Sequence, residues 1–254
     1  MSAPAAKRRL CRICRISRLR LKTLKALDVI IPSFYTNTER ALSQDGRRAV
    51  MGIEIASTVK DPERIRERRE QIIQASVELF TQKGFHKTTT REIARASGLS
   101  NGALYEYVKS KEDVLYLVCR HIHQEIHERL ADSLSSHERA VERLRHAVAS
   151  FLSVIRDMED EVLLIYQESK SLPHHYLREV LQNEQAITDI FVQLLQDGLQ
   201  DKSIQLSAED IPLVAHDVIV LGQLWAFRRW ALRDMEFSEF VSQQTEMILR
   251  ACRP

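Results

Sequence analysis

The sequence predicts an all-α fold, and two observations support this prediction. Glycine and proline are scarce, with seven and six residues in a chain of 254, so few positions favour tight turns. From about residue 61 onward, apolar residues recur at three- and four-residue spacing, which indicates amphipathic helices. We expect an N-terminal extension at residues 1–60, a domain of three short helices at 61–118 and a larger helical domain at 119–254.

The N-terminal extension differs in composition from the rest of the chain. Residues 1–50 carry a net charge of +9, whereas the remainder carries −7. The Cys11-x-x-Cys14 spacing suits zinc or redox chemistry, but zinc needs two further ligands and no histidine precedes His86. Two interpretations remain open: a disordered basic arm with nonspecific affinity for nucleic acid, or a segment upstream of a true translation start at Met51. We favour the second, because Met51 stands about ten residues before the first predicted helix.

The first two helices have clear start and stop signals. Asp61-Pro62 opens the first, with aspartate as the N-cap and proline at the first position, where its missing N–H is not needed. Gly84 ends it. Thr89 and Glu92 have the spacing of a capping box, which predicts that the second helix begins at Thr89.

A short third helix completes a helix-turn-helix pattern at about residues 89–108. Gly98 ends the second helix, because glycine readily takes the left-handed conformation found after a helix C-terminus. Ser100 is a good N-cap for a third helix, which we expect at residues 101–108. Two helices joined by a glycine-containing turn are the unit that places its second helix in the major groove of DNA.

The residue types around that third helix suit contact with a duplex. Asn101 at its start can bond adenine in a bidentate manner, and Gly102 allows close approach of the backbone. Tyr105 and Tyr107 carry hydroxyls that can reach phosphates. The candidate residues for DNA contact are Thr88, Thr90, Arg91, Ser100, Asn101, Gly102, Tyr105, Tyr107 and Lys111.

The stretch from about Arg66 to Ile126 resembles the DNA-binding domain of the TetR family of bacterial transcription regulators. The resemblance rests on the segment IIQASVELFTQKGFHKTTTREIARASGLSNGALYEYVKSKEDVL. It implies a dimer that reads a palindromic operator in double-stranded DNA with two such helices. Two positions depart from the family pattern: Asn101 stands where lysine is frequent, and Val108 stands where an aromatic residue usually packs under the reading helix.

A long fourth helix from Lys111 towards Leu130 is expected to join the two domains, with Ser110 as its cap. His123 and His127 lie on it four residues apart, a spacing that can hold a metal ion. Histidines on an exposed helix face are far more often simply solvated, so we do not predict a metal site.

The C-terminal domain has five further helical segments. Pro173 separates the second from the third, and Ser207 precedes the fourth as a cap. The last two segments are too apolar for one small domain to cover, so we expect them to pair with the same two of a second chain as a four-helix interface. The segments are 137–158, 160–169, 174–201, 211–227 and 238–250.

The sequence contains no motif for catalysis, nucleotide binding or a cofactor, so we predict that the protein is not an enzyme. No uninterrupted apolar run reaches the ~18 residues of a membrane span, and four scattered cysteines favour a cytoplasmic protein. The TetR resemblance implies a small-molecule effector in the C-terminal domain. Candidate residues for its pocket are Phe151, Ile155, Tyr166, Phe191 and Trp225.

Residues 166–204 are similar to regulators of fatty-acid or other acyl-CoA degradation, which implies an acyl-CoA effector. Lys202 stands where those proteins commonly have glycine, so the end of that helix is a departure. Three hypotheses remain open: a repressor released by a small molecule, a protein of the same fold controlled by a protein partner or acting as an activator, and an enzyme or metal sensor that uses the histidine-bearing helix.

Overall fold

The computed structural model describes residues 52–132 and 139–252, and the N-terminal extension with Cys11, Cys14 and the Met51 start hypothesis lies outside this part. The described residues form nine α-helices and no strand, which confirms the all-α prediction. The helices are α1 Pro62–Lys83, α2 Thr90–Ala96, α3 Asn101–Leu104, α4 Lys111–Asp132, α5 Ala140–Asp157, α6 Glu159–Glu168, α7 His174–Gln200, α8 Ile211–Leu232 and α9 Phe237–Ala251.

The capping residues act at the helix ends as the sequence predicts. The Asp61 carboxylate accepts from two backbone N–H groups at the start of α1, and both halves of the capping box between Thr89 and Glu92 are formed at α2. Ser100 Oγ accepts from the N–H of Ala103 at 3.1 Å. Gly98 has φ +70°, a conformation that strains any residue with a Cβ. These four features fix the helix-turn-helix geometry locally.

Helix α3 is shorter than predicted, because it ends at Leu104 instead of continuing to about Val108. After Leu104 the chain tightens into bonds between residues three apart, such as the N–H of Tyr107 to the carbonyl of Leu104 at 3.0 Å. Both Tyr107 and Val108 are buried. The tighter turn therefore ends α3 while both of these side chains pack in the core.

A continuous apolar core joins the N-terminal domain to the C-terminal one through α4. We call the helices α1–α3 with their connecting loops the head, and the helices α5–α9 the body. Six consecutive residues of α4, from 114 to 119, are fully buried, so the start of this helix is surrounded on all sides. Helix α4 packs against α1 in the head and against α5 and α7 in the body. It is therefore the rod that the sequence predicts between the domains.

In the body, α5, α7 and α8 pack against one another. Gly222 of α8 allows the closest approach, because a Cβ at this position would lie 2.3 Å from the Phe151 ring of α5. The N-terminus of α5 has no local cap, and the loop after α7 satisfies it: Asp201 accepts from the N–H of Ala140 at 2.8 Å, and Ser203 from the next N–H at 3.1 Å. This loop turns through Lys202, which has φ +60°.

The last two helices leave large apolar side chains exposed. Leu213, Val220 and Trp230 of α8 are exposed, as is Met247 of α9. Residues 208–232 are also long and apolar enough, by length and composition alone, to cross a membrane. In the structure this segment packs one face on α5 and α7 of the body, and the apolar character of its other face is what a helix covered by a second chain would need.

We predict that Lys202→Gly stabilises the protein. A side chain with a Cβ strains the left-handed conformation by ~1–2 kcal/mol, and the greater freedom of glycine in the unfolded chain offsets part of the gain. The free energy of unfolding in urea should therefore rise by about 0.5–1 kcal/mol. Lys202→Ala is the matched control, because it removes the same side chain and keeps the Cβ; equal stabilisation by both variants would contradict the prediction.

Candidate nucleic-acid interface and ligand cavity

The exposed surface of the head is formed around the start of α3. Ser100, Asn101 and Gly102 are exposed there, and Arg91 is exposed on α2. The Ser100 hydroxyl is engaged as the cap of α3, so Asn101 presents the first free amide of the helix. This amide can both donate and accept, as recognition of adenine requires.

Tyr105 and Thr90 lie beside this surface and contact each other. The Tyr105 hydroxyl donates to Thr90 Oγ1 at 3.2 Å, and the Tyr105 side chain is 43% exposed. The contact links the first turn of α2 to the end of α3. It leaves two neighbouring hydroxyls at the surface, where they can bind a single phosphate oxygen.

Three of the nine candidate residues have structural roles instead. Thr88 is 1% exposed and its hydroxyl donates to the carbonyl of Gly84 at 2.9 Å. Tyr107 is buried in the core of the head. The Lys111 ammonium donates to the carbonyls of Phe85 and Thr88 at 3.0 and 3.1 Å and lies over the Phe85 ring. We therefore remove Thr88 and Tyr107 from the predicted DNA-contact surface. The ammonium of Lys111 holds the loop before α2.

Three exposed basic residues near the same surface were missed by the sequence reasoning. Lys87 precedes α2, Arg95 lies one turn after Arg91 on α2, and Lys109 follows the turn after α3. Their positive charge at exposed positions of the motif could have identified them, because a contact with a DNA phosphate requires little more than a positive charge.

Two buried carboxylates fasten α4 to α7 of the body. Glu179 of α7 accepts from the Tyr116 hydroxyl of α4 and, at 2.7 Å, from the backbone N–H of Ile53. Asp113 of α4 accepts from the Tyr176 hydroxyl of α7 at 3.0 Å. Burial, together with the hydrogen bond to Asp113, raises the pKa of Tyr176 to about 12. Burial and Glu179 likewise raise the pKa of Tyr116, so both phenols remain protonated donors.

The segment before α1 crosses from the body to the turn after α3. At its start, Ile53 is bound to Glu179 as described. Further along, the N–H of Thr58 and the hydroxyl of Ser57 both donate to the carbonyl of Glu106, at 3.0 and 2.7 Å. Arg69 of α1 donates to the backbone carbonyls of Ile55 and Tyr107. Residues 52–59 thus form a strap that ties α3 to α7.

A third contact joins the loop after α1 to the end of α6. Glu168 accepts from the backbone N–H of Phe85 at 3.3 Å, and its second carboxylate oxygen lies 3.7 Å from His86 Nε2. The His86 ring also lies within hydrogen-bond distance of Ser171. The head is therefore bound to the body through the strap, which reaches α7, and through the loop after α1, which contacts Glu168 and Ser171.

A small, mostly apolar cavity lies inside the body. It has a volume of about 30 Å³ and is lined by side chains of α4, α5, α6, α7 and α8. Phe151, Ile155 and Tyr166 line it, as the candidate list anticipates. This space is enough for one or two water molecules, so a larger ligand requires the helices to separate.

Four polar side chains converge on this cavity: His123, Tyr166, Glu184 and Gln223. The Tyr166 hydroxyl donates to Gln223 Oε1 at 2.7 Å, and Gln223 Nε2 lies 3.5 Å from Glu184 Oε1. Burial lowers the pKa of His123 to about 4 and raises the pKa of Glu184. Sequence reasoning found only Tyr166 of the four, because the others stand on three different helices and no spacing connects them.

The other two candidate pocket residues do not line the cavity. Phe191 is fully buried behind Phe151, with the two rings edge to face at 5.4 Å. Trp225 packs on Phe237 and Phe240 of α9, each with ring centroids 5.0 Å away. The apolar spacing on the helix correctly predicted that these two side chains pack inside the protein. The structure corrects the further prediction that they line the ligand pocket.

The histidine pair of α4 does not belong to a metal-binding cluster in the part of the chain that the structure describes, where no group of three or more His, Cys, Asp or Glu side chains could hold an ion. His123 is buried at the cavity and His127 is half-buried one turn later. The two residues therefore occupy different environments on the same helix.

Comparison with known proteins gives two matches that together cover more than half of the chain. Residues 72–116 match the family described as "Bacterial regulatory proteins, tetR family", and residues 137–230 match "Tetracyclin repressor-like, C-terminal domain". The HTH-type transcriptional regulator HbdR of Aromatoleum sp. (strain CIB) is 27% identical over 190 residues, which are 74% of this chain and 82% of that relative.

Two solved structures have a similar fold. The crystal structure of FadR from Bacillus subtilis in complex with stearoyl-CoA has a TM-score of 0.62 and 19% identity, covering 72% of this chain and 99% of that one. The crystal structure of AibR in complex with isovaleryl coenzyme A and operator DNA has a TM-score of 0.60 and 18% identity, covering 71% and 97%. At these identities the similarity concerns the fold alone.

Proposed function

The chain belongs to the TetR family of bacterial regulatory proteins, and from this premise we propose that it is a cytoplasmic, homodimeric repressor that a small-molecule effector releases from a palindromic operator. The coarser statement, that it is a transcriptional regulator with a helix-turn-helix, follows from the family. The relatives are transcriptional regulators and not enzymes.

The observation that carries the proposal is that the side chains that line the cavity and the groups that hold the head lie on the same two helices, α6 and α7. On α6, Tyr166 lines the cavity and Glu168, two residues later, binds the loop of the head. On α7, Glu184 lines the cavity and Glu179, five residues earlier, binds Tyr116 and the strap. A ligand that separates these helices must move the groups that hold the head.

Such a movement can act as a switch only if the effector binds the two arrangements with different affinity. Shifting a population from 1:99 to 99:1 takes about 5.5 kcal/mol of difference. The cavity of about 30 Å³ is far below the ~300 Å³ or more of an ordinary ligand pocket. The closed form described here therefore excludes a large effector, which supports strong preference of the effector for an opened form.

The exposed apolar side chains of the last two helices support the homodimer. Leu213 and Val220 are seven residues apart on α8 and lie on the same side of the helix. Met247 adds to the exposed apolar surface on α9. A symmetric pairing of these helices covers both faces at once, and it presents two α3 helices to a palindrome.

The acyl-CoA class of effector has support from the relatives. FadR and AibR have been solved with stearoyl-CoA and isovaleryl coenzyme A. In sequence, the fatty acid metabolism regulator protein of Bacillus subtilis is 23% identical over 135 residues, matched over 53% of this chain and 70% of its own length. The apolar side chains that line the cavity suit the acyl group of such a thioester once the helices separate.

We predict that Asn101→Ala relaxes base preference at one position of each operator half-site, at a cost of ~1–3 kcal/mol there. Tyr105→Phe should instead weaken all sequences alike, because it removes a hydroxyl beside a phosphate and no base contact. Selection from random duplexes with the wild type and both variants measures the two effects. Unchanged preference in the Asn101 variant would refute its assigned role.

A second prediction concerns the dimer. Val220→Glu puts a charge at the centre of the exposed face of α8 and should give a species with the mass of one chain, with operator affinity reduced roughly 100-fold or more through loss of bivalent binding. The matched control is Leu181→Glu, because Leu181 is also an exposed aliphatic side chain but lies on α7. Sedimentation in which both variants keep the mass of two chains would contradict the proposed interface.

The effector is tested by operator binding in the presence of acyl-CoAs of short, medium and long chain. At least one should weaken binding about 10-fold or more, within the 5–150-fold range of ordinary allosteric coupling, and free coenzyme A should not. If the protein binds its operator and no acyl-CoA has an effect, control by another ligand or by a protein partner replaces this part of the proposal.

A further inference from the structure

The polar side chains of the cavity are unusual in an otherwise apolar space. His123 is buried, and its Nδ1 has no hydrogen-bond partner among the described residues. Glu184 is half-buried, and its carboxylate contact inside the cavity is the 3.5 Å approach of Gln223. Buried polar groups are nearly always paired in native proteins. The cavity therefore contains hydrogen-bonding capacity that the protein itself leaves unused.

The alternative is that these groups are ordinary core polar residues satisfied by each other. Tyr166 and Gln223 do satisfy each other, with a distance of 2.7 Å from hydroxyl to Oε1. His123 has no such partner at Nδ1, and it stands on α4, across the cavity from the pair that α6 and α8 contribute. Gln223 also approaches Glu184 at 3.5 Å, so mutual satisfaction leaves His123 Nδ1 as the buried group of the cluster without a partner in the described part of the chain.

A saturated hydrocarbon is a poor occupant for this arrangement. It would fill the space beside His123 and Glu184 and offer them no hydrogen bond. A hydroxyl group can donate to a carboxylate and accept from an imidazole N–H at the same time. Because burial keeps the His123 ring neutral near pH 7, one of its nitrogens is a donor and the other an acceptor, which suits such a group.

We propose that the cavity binds a hydroxyl-bearing group, so that the effector is an acyl thioester whose acyl part is hydroxylated and not a plain hydrocarbon chain. His123, Glu184 and Gln223 are its specificity-determining residues, and Phe151 and Ile155 cover its apolar part. This inference rests on the proposed function in taking the cavity as the effector site. A site built to bond a hydroxyl discriminates strongly against the analogue that lacks it.

The decisive experiment uses phenol and toluene, which have nearly the same shape and differ by a hydroxyl in place of a methyl group. Binding to the full chain is measured by calorimetry or by ligand-observed NMR. Phenol should bind about 10-fold or more tightly than toluene, although toluene is the more hydrophobic compound. Equal binding, preference for toluene, or no binding of either compound would overturn the inference.

Variants then locate the preference. His123→Phe and Gln223→Leu should each reduce the phenol preference about 10-fold by removing a hydrogen-bonding group. His127→Phe is the control, because it makes the same change one turn later on α4, outside the cavity lining, and should keep the preference. Operator binding without ligand shows that each variant is folded, and a preference that persists in both cavity variants would refute these assignments.

A thioester pair separates this inference from the proposed function. Octanoyl-CoA and 3-hydroxyoctanoyl-CoA are compared for release of the operator, and the hydroxylated compound should act at about 10-fold lower concentration. If neither thioester acts but phenol is preferred through His123, the acyl-CoA part of the proposed function fails and the hydroxyl site stands. If octanoyl-CoA acts at the lower concentration, the proposed function stands and the hydroxyl specificity fails.

Discussion

The structure depends on the requirement that two buried carboxylates keep their partners. Asp113 and Glu179 are both largely inaccessible to water, and an unpaired buried charge costs several kcal/mol. Tyr176 and Tyr116 supply the hydrogen bonds, with their rings stacked at 4.3 Å so that the two contacts form one unit. The high pKa of both phenols means that no change in pH near neutrality releases them. The start of α4 and the start of α7 must therefore move together.

This constraint determines how the body can act on the head. If the junction cannot open without a large cost, a ligand that separates α4 from α7 at the cavity must tilt the two helices about the junction. Helix α4 enters the head directly, and the strap that begins at Ile53 reaches the carbonyl of Glu106 just after α3. In the proposed switch, a small tilt of α4 at His123 would reach α3 by two routes, through α4 itself and through the hydrogen-bonded strap. In a dimer it changes the separation of the two α3 helices.

The sequence alone predicts those structural features that depend on residues close together in the chain. The caps at Asp61 and Thr89, and the left-handed turn at Gly98, involve groups within a few positions of each other, so spacing identifies them. The direction of Tyr107 depends on how tightly the chain turns after Leu104, which only the assembled core decides. The cavity could not be predicted from the sequence for the same reason, because its polar side chains come from four different helices. Phe191 and Trp225 show the limit: an apolar pattern predicts burial without saying what lies opposite.

Helix α8 is where the three proposed properties meet. Ile219 and Gln223 line the cavity, whereas Val220, adjacent to Ile219, is 59% exposed. The exposed side of this helix combines Leu213 and Val220 with the polar residues His216 and Asp217, and in the proposed dimer the partner chain covers the two apolar side chains. Any effector that displaces Gln223 then displaces Val220 by a similar distance, since a helix moves as a rigid body. In the proposed dimer, a displacement of α8 at the cavity would therefore also displace the surface that contacts the partner chain.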